Sequence, residues 1–172
     1  MPAIQPWAWI AVIAVLVLLS AFFSSSESAI FSLPASWIDE QAASGDDEAR
    51  TLGDLREDPH RLLVTILVGN NVVNVAISTL TAVLLAQLFP AGTAAAAATV
   101  LASFVILIFG EIVPKSYGLG NARGWALRVA RPLTVVERLL LPLVFVFDWI
   151  TRRINALLGG EPAIEEVYED GP

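Results

Sequence analysis

Three short stretches place oxygen-bearing side chains where a sequence is otherwise apolar. In "LSAFFSSSESAIFSL", Ser20, Ser24 and Glu27 recur at i, i+4 and i+7. At about 100° per residue they form one stripe of a helix, with Ser28 beside it and Ser25 and Ser26 pointing elsewhere. In "VGNNVVNVAIS", Asn70 and Asn74 are again one turn apart, with Asn71 and Ser78 on the adjoining flank. In "FGEIVPK", Glu111 follows a long uncharged run and is itself followed by Pro114 and Lys115. Hydroxyl, amide and carboxylate oxygens suit hard cations such as Mg²⁺, Ca²⁺, Mn²⁺ or Na⁺ and do not suit Zn²⁺ or Cu⁺. This inventory does not separate Mg²⁺ from Na⁺, and one site for each is compatible with it.

Each stripe also has a plainer reading. Serines in apolar helices back-bond to carbonyls one turn earlier or permit close packing. Asparagines tie helices together, and Glu111 with Lys115 can form an i, i+4 pair where a helix ends. Two features weigh against the plainer readings. A carboxylate such as Glu27 or Glu111 inside a membrane is costly and is usually functional or paired. Pro114 has no N–H and clashes with the carbonyl of residue i−4, which is Gly110. A helix broken there would free the Gly110 carbonyl beside Glu111, an arrangement by which transporters bind cations.

The elements that must hold these stripes are membrane helices. The chain has 172 residues, 56% of them hydrophobic, and no charged side chain between Leu62 and Gly110. A crossing takes about 20 apolar residues, so that run allows two, divided at "FPAG". A third lies at the N-terminus, where no Lys or Arg precedes Trp7 and no small-residue cleavage site ends the apolar run. It reads as a retained helix and not as a signal peptide. The expected fold is all-α and integral to the membrane, with spans about 7–33, 62–89 and 93–113. "LTVVERLLLPLVFVFDWITRRI" is interrupted by Glu137, Arg138, Pro142 and Asp148, so residues about 122–158 are expected as one or two amphipathic helices at the interface.

All ten Lys and Arg residues follow the first span or the third, and none lies at the N-terminus or in the short connection after residue 89. The positive-inside rule then puts the N-terminus outside and the C-terminus in the cytoplasm. With a rise of 1.5 Å per residue, Ser20 lies roughly 20 Å below Trp7 and Asn70 roughly 12 Å above Leu62. Glu111 ends a run of about 30 Å counted from Ala91. Ser20, Ser24, Asn70, Asn74 and Glu111 are therefore expected to converge in the cytoplasmic half of the bilayer.

Composition excludes several classes. There is no cysteine, so thiolate metal sites and cysteine nucleophiles are absent, and the one histidine, His60, precedes the second span. Serine hydrolysis lacks an activating base within the spans, and no enzyme activity is expected. A net charge of −7 argues against nucleic acid. Residues 161–172 are acidic and read as a linker toward a cytoplasmic region beyond this chain.

The three motifs, in this order, resemble the transmembrane domain of the CorC/CNNM (cyclin M) magnesium transporters, and the resemblance covers about residues 8–160. It implies three membrane helices, a cytoplasmic belt of juxtamembrane helices, a homodimer in the plasma membrane, and ATP binding only through CBS modules absent from this chain. It also implies Mg²⁺ export driven by Na⁺. Matched by motif, the implied Mg²⁺ ligands are Ser20, Ser24, Asn70, Asn74 and Glu111, to which the proline argument adds the Gly110 carbonyl. Glu27, Asn71 and Ser28 are candidates for a supporting or Na⁺ role. The alternative expectation is a non-transporting anchor or Mg²⁺ sensor that positions a cytoplasmic module.

Overall fold

The computed structural model describes residues 5–158, and every element among them is helical. The acidic linker expected at 161–172 lies outside the described residues. In chain order the elements are α1 (Pro6–Phe31), α2 (Ala35–Ala43), α3 (Asp47–Arg56), α4 (Pro59–Ala86) and α5 (Ala91–Val105). A π-helical segment (Ile106–Ile112), α6 (Val113–Gly120) and α7 (Ala122–Leu158) follow. Three stretches are long and apolar enough to cross a membrane: Trp7–Phe31, Pro59–Ala86 and Ala91–Gly120. The protein is an all-α, multi-pass membrane protein with three candidate spans.

Local sequence explains the helix starts. Pro6 and Pro59 occupy first turns, where a missing N–H costs nothing because that donor has no helical partner anyway. Ahead of α4, the Asp58 carboxylate accepts the Arg61 N–H at 2.9 Å, the bond expected of a capping side chain. "FPAG" turns the chain, with Pro90 extended (ψ 149°) at the start of α5.

The chain forms two compact units. The first comprises the described residues from Gln5 to Pro34 together with Gly69–Ala126. Its outward faces carry Ile10, Val15, Leu18, Val75, Val100, Phe104 and Leu107, while Ser20, Ser24, Ser25, Ser26 and Asn70 are buried. That inversion of the soluble pattern suits a bilayer, where apolar contact between helices has no advantage over contact with lipid. Near the connection between α4 and α5, Leu85 packs with Ala94 and Ala98. Ala94, Ala98 and Ala102 are buried one turn apart, a small-residue face that lets helices approach. α1 packs along the π segment and α6.

The second unit comprises Ala35–Val68 and the described residues from Leu127 to Leu158. α2 and α3 pair as a short hairpin that the sequence reading did not assign. α3 has Asp47 and Glu48 in its first turn and Arg56 in its last, each favourably placed in the helix dipole. Ile38, Ala49, Leu52, Leu55, Leu62, Ile66, Val129, Ala130 and Leu133 are its buried apolar residues. α7 is one continuous helix through Pro132 and Pro142. Within this unit Arg61 and Glu137 form an ion pair.

One expectation is corrected. The third span does not break at Pro114. It runs on as helix to Gly120, seven residues past the expected end, and the irregularity is taken up just before the proline as a change of hydrogen-bond register. The Val113 N–H bonds to the Ile108 carbonyl five residues back, the π pattern. Pro114 then stands in the first turn of α6, where the rod can accept it.

Candidate cation site

Every group of the site lies in the first unit, and α1 supplies the hydroxyls. The serines of this helix have different fates. Ser25 Oγ donates to the Ala21 carbonyl at 2.7 Å and Ser26 Oγ to the Phe22 carbonyl at 2.6 Å, the back-bonding expected of serine in an apolar helix. Ser20 instead reaches out of its own helix. Its hydroxyl is fully buried and lies 2.7 Å from Asn74 Oδ1 and 3.0 Å from Asn70 Oδ1. Ser24 is equally buried, with its oxygen 3.5 Å from Asn70 Nδ2.

α4 supplies the amides. Asn70 and Asn74 share the face toward α1, and both turn their nitrogens to the third span. Asn70 Nδ2 donates to Glu111 Oε1 at 2.8 Å and Asn74 Nδ2 to the same oxygen at 3.2 Å. Asn71 is exposed on a different face, and Ser78 back-bonds to the Asn74 carbonyl at 2.9 Å.

The π segment supplies Gly110 and Glu111. Wide turns of this kind are rare and often mark functional positions, because they re-aim side chains without ending the helix. Gly110 leaves room for the Ser20 hydroxyl in its present orientation: a Cβ there would lie 2.7 Å from Ser20 Oγ. The α-helical donor to its carbonyl is missing, since residue 114 is proline. Glu111 is half-buried, and its second oxygen, Oε2, lies 3.7 Å from Lys115 Nζ. The same ammonium is 3.3 Å from Glu27 Oε2 on α1.

The structure thus brings Ser20, Ser24, Asn70, Asn74, Gly110 and Glu111 together. Glu27 joins through Lys115. Ser28 is half-buried on α1 and contributes no bond to this network, and Asn71 faces away.

Sequence reading missed what fixes α6 against α1. A Cβ at Gly118 would press on the Ser25 carbonyl oxygen, so only glycine allows this approach. Ser25 also accepts the Trp125 indole N–H at 3.0 Å, and Trp125 stacks edge-on with Tyr117 at 5.4 Å. The only signal was a glycine one turn after Pro114, which pattern alone does not connect to α1.

Chemically, the cluster offers one carboxylate, two amides and two hydroxyls, all neutral or anionic and all oxygen-bearing. Among the described residues no three of His, Asp, Glu or Cys gather. A zinc-type or multi-carboxylate calcium site is therefore not what these residues build, while one carboxylate among neutral oxygens matches the requirements of Mg²⁺ or Na⁺.

Comparison with known families agrees with the motifs. Residues 11–170 match the model of the cyclin M transmembrane N-terminal domain. The chain is 32% identical over 145 residues to the UPF0053 inner membrane protein YfjD of Escherichia coli, covering 82% of this chain and 33% of that protein. It is 35% identical over 159 residues to a chloroplastic DUF21 domain-containing protein of Arabidopsis thaliana, covering 90% of this chain and 24% of the relative. A UPF0053 protein of Haemophilus influenzae is 30% identical over 148 residues. The chain spans only a quarter to a third of the length of these relatives. With a match over nearly its whole length, the chain belongs to the cyclin M transmembrane domain family.

Proposed function

We propose that this domain carries Mg²⁺ across the membrane through the Ser20–Asn70–Asn74–Glu111 cluster. One observation carries the reading: a carboxylate, two amides and a hydroxyl from three apolar helices meet in a single hydrogen-bonded group. Glu111 neutralises charge. The Ser20 and Ser24 oxygens, the amide oxygens of Asn70 and Asn74 and the Gly110 carbonyl replace the hydration shell. Binding requires the two amides to turn, because their nitrogens now face Glu111 and a cation needs their oxygens there.

The direction proposed is export from the cytoplasm of the cell, driven by Na⁺ influx, with Glu27 the candidate Na⁺ group. Arginine placement supports an outside N-terminus, with α7 lying along the cytoplasmic surface. The domain works as a homodimer, and nucleotide regulation belongs to regions of longer family members outside this chain.

A second reading has its own support. The same bonds tie α1, α4 and the third span together, so the cluster could serve only to hold an anchor for a cytoplasmic module. Calorimetric titration with Mg²⁺, and efflux from reconstituted vesicles, separate the two. The transport reading expects saturable binding in the wild type and its loss, with efflux, in Glu111→Ala. Unchanged binding and efflux in that variant would refute it, and absence of any heat or thermal stabilisation by Mg²⁺ would favour the anchor.

A further inference from the structure

Glu111 is divided between two kinds of partner. Oε1 accepts both amides, at 2.8 and 3.2 Å, while Oε2 leans toward Lys115 at 3.7 Å. Lys115 Nζ also lies 3.3 Å from Glu27 Oε2, so one ammonium stands between carboxylates of two helices. Both carboxylates are only about a quarter exposed, at 23% and 24%. The charges therefore act on each other more strongly than an exposed surface pair would. Lys115 is the chain's single lysine, placed directly after a buried proline, so its stem starts from a fixed point.

We infer that Lys115 is a tethered competitor for the cation pocket, an inference that rests on the reading of the cluster as a cation site. Its ammonium lies nearest Glu111 Oε2, while the Asn70 and Asn74 amides hold Oε1. The ammonium already lies nearer Glu27, at 3.3 Å, than Glu111, at 3.7 Å, so a divalent ion that takes Glu111 leaves Lys115 on Glu27, still beside the pocket. Two properties follow. Affinity is held down, as transport requires, because an ion bound too tightly does not leave. Monovalent ions are disfavoured, because an untethered single charge must displace an equal charge present at high effective concentration. A doubly charged ion has the advantage that a singly charged one lacks.

The test measures Mg²⁺ affinity by titration calorimetry on the protein in nanodiscs, with KCl or choline chloride as background salt. Lys115→Met is expected to bind Mg²⁺ about tenfold more tightly than wild type, since a unit charge a few Å away is removed and partial solvent exposure weakens its effect. K⁺ is expected to raise the apparent Mg²⁺ Kd of Lys115→Met more than that of wild type. Lys115→Arg keeps the charge and is expected to stay within about threefold of wild type. Melting temperatures identify a variant that fails to fold, and Lys115→Gln, which also removes the charge but keeps a polar end, then carries the comparison with the same expectation as Lys115→Met. Equal or weaker Mg²⁺ binding in a folded Lys115→Met, with binding still lost in Glu111→Gln, would overturn the competitor role and leave the cation site standing. Wild-type binding in Glu111→Gln, or none in any variant, would overturn the site itself and this inference with it.

Discussion

The third span meets its neighbours in two ways. Toward the turn with α4, the contact is Leu85 against Ala94 and Ala98, without a polar group. Around the π segment, the contact is serine, asparagine and glutamate in a continuous hydrogen-bonded chain. Both ends hold helices together, and the alanine end shows that small-residue packing suffices for that. Interhelical hydrogen bonds in membranes average only about 0.6 kcal/mol. Placing a carboxylate at such depth costs more than such a bond returns. The polar end is therefore more than is needed for assembly, which supports the proposal of a cation site there.

The widest separation between the two ends comes from Asn70→Ala and Ala98→Leu. Asn70 touches both Ser20 and Glu111. Its truncation is expected to weaken Mg²⁺ binding about a hundredfold, at the upper end of effects seen around metal sites. Its cost in stability is expected to be near 1 kcal/mol. Ala98 is 4% exposed, so leucine there overfills the contact and costs about 1–3 kcal/mol of stability. Affinity in the folded fraction should not move. Paired calorimetry and thermal melting check both, and equal behaviour of the two variants would erase the distinction.

This division also accounts for what the sequence discloses. Ser20, Ser24, Asn70 and Asn74 stand out because polar groups one helical turn apart on an apolar background mark a single face of a helix. The three spans are legible for the same reason, through length and the absence of charge. The π segment was not legible. Pro114 signals that the α-helical bond to the Gly110 carbonyl is lost, but a break and a register change give the same local pattern. The continuation to Gly120 is set by packing along α1. The α2–α3 hairpin is harder to see, because the dense acidic charge of "DEQAASGDDEARTLGDLRED" masks its apolar spacing. The repeat of Ala49, Leu52 and Leu55 at three-residue steps, after an acidic first turn, is the signal that finds α3.

A smaller effect separates two glycines on the same rod. At Gly118 an added Cβ meets the Ser25 backbone carbonyl, which cannot move without shifting α1. At Gly110 it meets Ser20 Oγ, the end of a short side chain that can rotate away, and Ser20 Cβ at 3.3 Å, which a shift of a few tenths of an ångström relieves. Gly118→Ala is expected to lose about 2 kcal/mol of stability, in the range of overpacked sites. Gly110→Ala should melt nearer wild type yet bind Mg²⁺ more weakly, because the rotated hydroxyl leaves the cluster. If Gly110→Ala melts as low as Gly118→Ala, the approach of the π segment to α1 is a packing contact and not part of the site.

The finest comparison is between two serines of one helix. Ser20 directs its hydroxyl across helices, while Ser25 bonds within α1 and accepts from Trp125. Ser25→Ala leaves the indole N–H without its acceptor and is expected to cost about 1 kcal/mol, with Mg²⁺ affinity unchanged. Ser20→Ala removes one oxygen from the cluster while the Asn70 and Asn74 contacts to Glu111 remain. It is expected to weaken Mg²⁺ binding about tenfold, with a melting temperature within a few degrees of wild type. The test is stringent because the two side chains are identical and lie on the same helix, so only the direction in which each oxygen points distinguishes them. If Ser25→Ala weakens binding as much as Ser20→Ala does, the hydroxyls act through the geometry of α1, and the ligand set shrinks to the amides and Glu111.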